Sequence, residues 1–329
     1  MPIFKAYDVR GRYPSEIDEA LAERLGGAVV KFLGAKRIAV GRDARLSAPS
    51  IAAAVARGAG CEVLDIGLCT TPMLYFAVGH LGLDGGIMVT ASHNPPGDIC
   101  FKLCREKAFP LGERTGLKDI EKLTSEPARG GSTVTARPLQ AEYRAHLRRH
   151  LERAPKLKIA VDCAHGAVGE HFDAIFGDLP VEFIRLCWKP DGTFPTHEPN
   201  PLKDENIADL REAMIRTGAD LGAAFDGDGD RCMFLSPGGE RIPGDLLTVL
   251  LARAELRRSP GAAVVYDLRS SHVVPEEILK LGGRPIRERV GHSFIKETMK
   301  KHDAVLGGEV SGHYYFKDHW FADSGLMAF

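Results

Sequence analysis

Three short loops of this sequence carry the side chains that could do chemistry. The first holds Ser92 and His93 in TASHNP, the second holds three aspartates in DGDGDR, and the third holds an acid, a hydroxyl and an imidazole in GEVSGH. A serine at the end of a buried strand could be a nucleophile or only a turn former. Aspartate oxygens bind hard cations, and the third set suits hydrogen bonding to sugar hydroxyls. Brought into one cleft, the three loops would make an active site.

The aspartate loop carries the strongest chemical signal. Its alternating glycines let the chain curl so that Asp226, Asp228 and Asp230 converge on a hard cation such as Mg²⁺, with coordination left open for a phosphate oxygen. An EF-hand is excluded, because its glycine position is Arg231 and its bidentate acid position is Pro237. The alternative is a solvated acidic turn, in which three close carboxylates would repel one another without a cation.

Ser92, His93 and Lys102 leave alternatives open. A loop serine is most often a turn former or a helix cap, and His93 is more typical of a structural loop histidine than of a proton carrier. Lys102 lies in the apolar run ICFKLC. It could snorkel from a strand there, or it could serve as an acid or base if its pKa were lowered. The residues alone do not decide between these roles.

The remaining candidates are binding residues. The stretch RVGHSFIKE places a glycine and a histidine at the start of a predicted helix, where free N–H groups and the helix dipole stabilise a phosphate. The segment YDVRG places arginines near the amino terminus, where they could contact a ligand or simply lie on the surface. Together with the third loop, these stretches supply six candidate binding residues, namely Arg10, Gly291, His292, Glu309, Ser311 and His313.

Hydrophobic periodicity predicts helices and strands that alternate along the chain. Ser15 is the predicted N-cap of the first helix, and apolar runs such as GGIMVT, KLKIAVD and AAVVYD are typical of parallel strands covered on both faces. A polar stretch, residues 112–138, separates the first series from the second. Ligands of open α/β sheets bind beyond the carboxyl ends of strands, where the three loops lie. We therefore predict an α/β fold of three consecutive units with mixed, mostly parallel sheets around a central active-site cleft.

Composition narrows the class of protein. The 329 residues are 44% hydrophobic with a net charge of −1, which does not favour binding to nucleic acid or to an anionic membrane. The sequence shows no apolar leader and no apolar run long enough to span a membrane, so we expect a cytoplasmic protein. Seven scattered cysteines form no disulfide framework and are predicted to be reduced. A small-molecule ligand is therefore expected, with the chain a monomer or weak dimer.

In this order the motifs resemble those of the α-D-phosphohexomutase family, the phosphomannomutases and phosphoglucomutases. TASHNP resembles the family's phosphoserine loop, DGDGDR its metal loop and GEVSGH its sugar-binding loop, with YDVRG and VGHSFIK as flanking signatures. The resemblance covers essentially the whole chain. FKAYDVRG, KPDGTFPTHEPNPL and ADSGLMAF look most like bacterial phosphomannomutases that supply GDP-mannose synthesis.

The resemblance implies a mechanism. Phospho-Ser92 would donate its phosphoryl group to a hexose 1- or 6-phosphate, and a hexose 1,6-bisphosphate, also the activator, would return the other phosphate. One Mg²⁺ per chain would be held by Ser92 and the three aspartates. Arg231 would steady the phosphoserine, and mannose is favoured over glucose as the substrate. The catalytic set implied by the resemblance is Ser92, His93, Lys102 and Arg231.

The resemblance also divides the chain into domains. We expect a phosphoserine-loop domain over residues 1–137, a metal-binding domain over 138–240 and a sugar-binding-loop domain over 241–329. Family members carry a fourth, phosphate-binding domain, and because the chain stops at Phe329 we expect it to be absent. Two rival functions remain: a phosphatase that uses Asp226 as the nucleophile, and a non-catalytic fragment that only binds sugar phosphate.

Overall fold

In a computed structural model, which describes residues 3–151, 154 and 156–329, the chain folds into three α/β units, each built on one mixed sheet. The predicted fold class is therefore confirmed. The first unit contains strands β1 (Val9–Arg12), β2 (Arg37–Arg42), β3 (Glu62–Leu68), β4 (Gly85–Thr90), β5 (Asp98–Arg105), β6 (Phe109–Pro110) and β7 (Thr133–Ala136) and helices α1 (Glu19–Leu33), α2 (Ala48–Gly58), α3 (Thr71–His80) and α4 (Leu117–Leu123).

The second and third units follow the same alternation. Helix α5 (Gln140–Arg148) leads into the second unit, with β8 (Lys158–Asp162), α6 (Val168–Phe176), β9 (Glu182–Leu186), α7 (Ala208–Thr217), β10 (Leu221–Phe225), β11 (Cys232–Leu235) and β12 (Arg241–Ile242). The third unit contains α8 (Gly244–Arg258), β13 (Ala263–Asp267), α9 (Val273–Lys280), β14 (Arg284–Glu288), α10 (His292–His302), β15 (Leu306–Gly308), β16 (Tyr314–Phe316), β17 (Ala322–Asp323) and α11 (Gly325–Ala328).

Each sheet has a parallel run that is extended by antiparallel strands. The strand orders are β1-β5-β4-β2-β3-β7, with β6 beside β5, then β12-β11-β10-β8-β9, and β14-β13-β15-β16-β17. The parallel strands are short apolar runs, and β4 is buried along its whole length because helices cover both faces of the sheet. Strands β4, β10 and β15 end directly before the three candidate loops. The sheets therefore fix where the candidate side chains emerge.

The first helix begins later than predicted. Its N-cap is Asp18, whose carboxylate accepts a hydrogen bond from the Leu21 amide at 2.8 Å, so the prediction of Ser15 is wrong. Glu16 accepts a hydrogen bond from the Arg12 amide, which keeps the preceding residues in a turn. The polar stretch 112–138 also contains regular structure, namely α4 and β7, and β7 pairs in parallel with β3.

The three units share one buried apolar cluster and several backbone contacts. The cluster includes Phe76 of the first unit, Phe172 of the second and Leu326 of the third. The Thr71 amide donates to the Asp228 carbonyl at 2.9 Å, so the start of α3 is fixed against the second unit. Among the residues that the structure describes, no helix is both long and apolar enough to cross a membrane. The cysteines are free, and five of the seven are buried, as predicted.

A pair of buried histidines also joins the units. His146 Nε2 lies 3.0 Å from His319 Nδ1, and His319 Nε2 lies 3.1 Å from the Pro72 carbonyl oxygen. Arg149 contacts the other ring nitrogen of His146. In one chain of hydrogen bonds, Arg149 donates to His146, His146 donates to His319, and His319 donates to the Pro72 carbonyl. This chain requires both rings to be neutral, because each ring then accepts through one nitrogen and donates through the other. Burial lowers the pKa of His146 to about 4 and that of His319 well below its usual value.

Acidification should therefore weaken the fold through this pair. A histidine whose folded pKa is lowered contributes stability that is present above its unfolded pKa and is lost as the pH falls, because the unfolded chain takes up the proton first. Between pH 7 and pH 5 we expect the free energy of unfolding to fall by about 2 kcal/mol for each of the two histidines. Urea unfolding at both pH values measures this loss.

The matched variants are His146→Gln, which keeps a donor and an acceptor but does not titrate, and His272→Gln at an exposed position. The first should reduce the pH-dependent loss by about 2 kcal/mol, the contribution of one histidine of the pair. The second should leave the loss unchanged. Equal pH dependence in all three proteins would show that the pair does not control acid stability.

Candidate active site

Ser92 lies at the end of β4 in an unusual backbone conformation. It has a positive φ of 50°, which is uncommon for a residue other than glycine, and its side chain and backbone together are only 3% exposed. Its amide donates to Thr90 Oγ1 at 2.8 Å, and its hydroxyl donates to Asp226 Oδ2 at 2.7 Å. The strand end therefore directs the serine hydroxyl at the aspartate loop, as the order of elements predicts.

A buried ion pair that sequence reasoning missed holds the serine loop. Arg45 Nε lies 3.2 Å from Asp43 Oδ2, and the same arginine donates to the carbonyl oxygens of Ser92, Asn94, Pro95 and Asp98. Both ionised side chains are at most 1% exposed. The available signal was Asp-Ala-Arg directly after β2, a charged pair at the end of a predicted buried strand. Arg45 thus holds the loop through its backbone carbonyls, while the Ser92 hydroxyl contacts Asp226.

The aspartate loop follows β10 and is fully buried. Asp226, Asp228 and Asp230 each offer an oxygen, and these three oxygens lie within 4.8 Å of one another. Gly229 has a positive φ of 70° and allows the tight curl between them. Burial, together with the charges of Asp230 and Asp228, raises the pKa of Asp226. The loop therefore concentrates negative charge that needs a cation nearby.

Lys102 supplies a positive charge to this loop. Its Nζ lies 2.7 Å from Asp228 Oδ2 and also contacts Asp230 Oδ2. Its strand, β5, pairs antiparallel with β4, and Lys102 lies opposite Met88 in that ladder. Burial lowers the pKa of Lys102, but Asp228 and Asp230 raise it more, so it lies well above the usual value. The condition of a lowered pKa is therefore not met in this structure, and the lysine is a cation here.

The loop also fits a divalent cation. Asp228 Oδ1 and Asp230 Oδ1 are buried with no hydrogen-bond partner among the described residues, which is costly for carboxylate oxygens unless a cation binds them. With Asp226 and the Ser92 hydroxyl close by, the donors are all oxygen, the set that Mg²⁺ prefers. Three carboxylates leave further positions open for a phosphate oxygen. The donor set is thus chemically suited to one Mg²⁺ ion.

Arg231 and His313 link the aspartate loop to the third unit. Arg231 Nε donates to His313 Nε2 at 2.9 Å and lies 3.7 Å from Asp226 Oδ2. The other ring nitrogen of His313 lies 2.8 Å from Asp323 Oδ2, and Asp323 in turn lies 2.7 Å from the buried Lys296. Asp323 and Lys296 lie in the quoted stretches ADSGLMAF and VGHSFIK, but neither has a role assigned from the sequence, because nothing local shows that the two charges meet. His313 therefore faces the metal loop and connects it to a buried ion pair.

His93 lies beside Ser92, and Arg10 reaches the same loop at Asn94. His93 Nδ1 is 3.1 Å from the Ser92 hydroxyl, and burial with the charges of Arg231 and Arg10 lowers the pKa of His93 to about 3. Arg10 is on β1, donates to Asp8 at 2.5 Å and reaches Asn94 of the serine loop at 3.3 Å. At neutral pH the serine hydroxyl thus lies next to a neutral imidazole and near an arginine.

The third loop and the start of α10 lie together. Glu309, at the end of β15, accepts from the Gly291 amide at 3.0 Å through Oε1 and from the Ser311 hydroxyl at 2.9 Å through Oε2. Asp267 fixes the same loop through the Val310 amide at 2.9 Å. Gly291 is the N-cap of α10, as predicted, although Glu309 occupies its amide in this structure. The structure thus brings these candidate sugar- and phosphate-binding groups to one place.

Comparison with known proteins identifies the family. Residues 1–129, 141–239 and 243–329 match, in that order, the alpha/beta/alpha domains I, II and III of phosphoglucomutase/phosphomannomutase. A phosphomannomutase of Escherichia coli (strain K12) is 42% identical over 342 residues, which span 98% of this chain and 75% of that protein. The chain belongs to the phosphoglucomutase/phosphomannomutase family.

Solved structures agree with this family assignment. A phosphoglucomutase/phosphomannomutase family protein of Burkholderia thailandensis superimposes with a TM-score of 0.93 at 33% identity, over 99% of this chain and 74% of that one. An N-acetylphosphoglucosamine mutase of Aspergillus fumigatus, in complex with glucose 1,6-bisphosphate, shares the fold at 14% identity with a TM-score of 0.62, over 99% of this chain and 75% of that one. The protein is therefore a phosphohexomutase, an isomerase of carbohydrate metabolism that acts on hexose phosphates.

Proposed function

We propose that the protein interconverts hexose 6-phosphate and hexose 1-phosphate through a phosphoserine at Ser92 and a hexose 1,6-bisphosphate, with mannose phosphate as the main substrate. The observation that carries the proposal is the 2.7 Å contact between the Ser92 hydroxyl and Asp226, which joins the nucleophile of one unit to the cation site of another. The Aspergillus relative of the same fold binds glucose 1,6-bisphosphate, the compound proposed here as activator.

The chain's own residues perform the positioning. The phosphoryl group moves from Ser92 Oγ to a free sugar hydroxyl, and the bisphosphate so formed turns over and returns its other phosphoryl group to Ser92. Mg²⁺ held by Asp226, Asp228 and Asp230 would offset charge on the phosphoryl group. Arg45 holds the loop backbone, and Arg231, 3.7 Å from Asp226, is placed to contact phosphate oxygens on Ser92.

Lys102 and the third unit complete the assignment. Lys102 is a buried cation beside Asp228, so it can donate a hydrogen bond to an oxygen of the transferred group and offset its charge. Glu309 and Ser311 carry oxygens that can bond sugar hydroxyls, and His292 with Gly291 lies where a helix start favours the second phosphate. His313 would hold Arg231 in place through their 2.9 Å contact.

Covalent phosphorylation tests the proposed intermediate. After incubation with glucose 1,6-bisphosphate and Mg²⁺, we expect phosphopeptide mapping to find an acid-stable phosphate on Ser92. An acyl phosphate on Asp226, removed by hydroxylamine, would instead support the phosphatase alternative. Asp226 is poorly placed for that role, because it is fully buried and its Oδ1 and Oδ2 accept from the Arg231 amide and the Ser92 hydroxyl.

The cation site has its own test. Asp228→Asn removes one negative charge but keeps the size of the side chain, and it should weaken Mg²⁺ binding by at least about tenfold, since hard cations depend on carboxylate oxygens. Isothermal titration with MgCl₂ measures the change. Asp209→Asn, an exposed acid in the first turn of α7, is the matched control and should bind as the parent does. Unchanged affinity in Asp228→Asn would show that the loop is only a turn.

Substrate preference is tested by coupled assays on mannose 1-phosphate and glucose 1-phosphate under the same conditions. The two sugars differ in the orientation of one hydroxyl, and Glu309 and Ser311 carry oxygen groups that could distinguish it. A higher kcat/KM for mannose 1-phosphate is the expected result. A preference for glucose 1-phosphate would refute the mannose assignment and leave the phosphoserine mechanism intact.

A further inference from the structure

A second cluster of metal-ligating side chains lies in the second unit, apart from the three loops. Asp162 ends β8, Cys187 follows β9, and His197 comes from the segment after it, so three separated stretches converge. Their ligand atoms all lie within 4.8 Å of one another. Asp162 is 1% exposed, whereas Cys187 and His197 are partly exposed, which leaves the cluster open to solvent on one side.

The thiol and the carboxylate both approach the same ring nitrogen. His197 Nε2 lies 3.0 Å from Asp162 Oδ2 and 3.5 Å from Cys187 Sγ. A catalytic thiol–imidazole–carboxylate relay uses the two ring nitrogens separately, one for the nucleophile and one for the acid. Here the thiol and the carboxylate instead both lie close to Nε2. Three ligand atoms from separate stretches that lie within 4.8 Å of one another can bind a single metal ion.

The separation between Cys187 Sγ and His197 Nε2 agrees with a tetrahedral zinc site, whereas the 3.0 Å between His197 Nε2 and Asp162 Oδ2 would have to lengthen slightly on metal binding. Zinc holds thiolate sulfur at about 2.3 Å and imidazole nitrogen at about 2.0 Å, so these two atoms lie about 3.5 Å apart around the ion. The observed Sγ to Nε2 distance is 3.5 Å. Sulfur with nitrogen is also a softer donor set than the oxygens of the aspartate loop, and it selects Zn²⁺ over Mg²⁺.

Two of the three ligands are already oriented by a hydrogen bond outside the cluster. His197 Nδ1 lies 2.8 Å from the Glu198 carbonyl and donates its proton there, so the ring directs Nε2 at the cluster. Burial lowers the pKa of His197, but the contacts with Asp162 and Cys187 raise it to about 11, so without a metal Nε2 carries a proton that a bound ion must displace. Asp162 Oδ1 accepts from the Ala164 amide at 2.7 Å. Cys187 has a positive φ of 47°, a strained conformation for cysteine, at the residue whose thiol reaches the cluster.

We propose that Asp162, Cys187 and His197 form a Zn²⁺ site with three protein ligands and one open position. A thiolate and a carboxylate together balance the two charges of the ion. Metal binding releases the proton of the thiol and any proton on Nε2 to solvent. The site is separate from the proposed catalytic cation site and takes no part in phosphoryl transfer.

The site lies at the base of the segment that supports the serine loop. Phe194, in the segment between Cys187 and His197, packs under the Arg45 guanidinium at 5.2 Å. Gly192 has no room for a side chain, because an added Cβ would lie 2.4 Å from the Ala44 carbonyl oxygen. A metal that joins both ends of this segment to β8 would stabilise the packing of Phe194 against Arg45.

Titration with metal alone tests the proposal. The protein, freed of metal and held in excess Mg²⁺ to fill the aspartate loop, is titrated with Co²⁺ and then with Zn²⁺. We expect one equivalent of Co²⁺ to give the thiolate charge-transfer absorption of a tetrahedral site, and Zn²⁺ to displace it. Cys187→Ser and His197→Gln should lose at least about 100-fold in Zn²⁺ affinity. Cys61→Ser, at the other partly buried cysteine, should bind as the parent does.

A second measurement needs no variant and so cannot fail through misfolding. Alkylation of the parent protein by iodoacetamide, followed by mass spectrometry, should show that Zn²⁺ protects Cys187 and leaves Cys61 equally reactive. Absence of a thiolate absorption band, its persistence in Cys187→Ser, or equal alkylation of Cys187 with and without Zn²⁺ would each overturn the proposal. None of these outcomes depends on mutase activity, so the two proposals fail independently.

Discussion

Ser92→Ala is expected to lower mutase turnover by about 10⁴-fold or more, the scale of loss that follows removal of a covalent nucleophile in other enzymes. Ser92 is the proposed carrier of the phosphoryl group, and its hydroxyl lies at the cation site, 2.7 Å from Asp226 Oδ2. Steady-state assays with hexose 1-phosphate and glucose 1,6-bisphosphate measure the loss. Labelling from the bisphosphate should disappear in parallel.

The Ser92→Ala variant should remain folded, so that a loss of turnover reflects the missing nucleophile and not a loss of stability. Alanine keeps the backbone amide that donates to Thr90 Oγ1, and at a φ of 50° it is no more strained than serine. Ser125→Ala, an exposed serine after α4, is the control and should retain parent activity. If Ser92→Ala kept turnover within tenfold of the parent, the phosphoserine mechanism would be wrong for this protein.

Sequence reasoning located the loops because their positions depend on local pattern. Strands such as GGIMVT can be predicted directly from their apolar residues. In an α/β fold, functional loops lie at the carboxyl ends of the strands. The three aspartates alternate with glycines, so their convergence depends only on the local conformation of the chain. Ser92 and Asp226 were therefore predictable as positions, although the contact between them depends on how two units pack.

The residues that sequence reasoning missed act through long-range contacts. Lys296 and Asp323 form a buried pair that supports His313, but they belong to different elements, and the stretches that contain them do not show that their charges meet. The surroundings of Lys102 depend on the antiparallel register between β5 and β4, and a shift of one residue would turn the lysine to the other face. Periodicity indicates which element a residue belongs to, but not which distant charge it meets.

Arg45→Met is expected to cost about 3–5 kcal/mol of the free energy of unfolding, the loss found when one partner of a buried ion pair is removed. Methionine preserves much of the side-chain volume but leaves Asp43 as an uncompensated charge at 1% exposure. Four carbonyl groups of the serine loop also lose their donor. Urea unfolding at pH 7 measures the cost.

Arg57→Met is the matched control, because Arg57 forms an exposed ion pair with Glu23 at 3.6 Å, and such pairs contribute about 1 kcal/mol or less. The double variant Asp43→Asn with Arg45→Met should cost less than the sum of the two single variants, since each alone leaves the other partner unpaired. In Arg45→Met we also expect slower phosphorylation of Ser92 by the bisphosphate, because Arg45 donates to the Ser92 carbonyl. Losses equal to those of Arg57→Met would mean that the serine loop holds its φ of 50° without this ion pair, through Thr90 and the Asp226 contact instead.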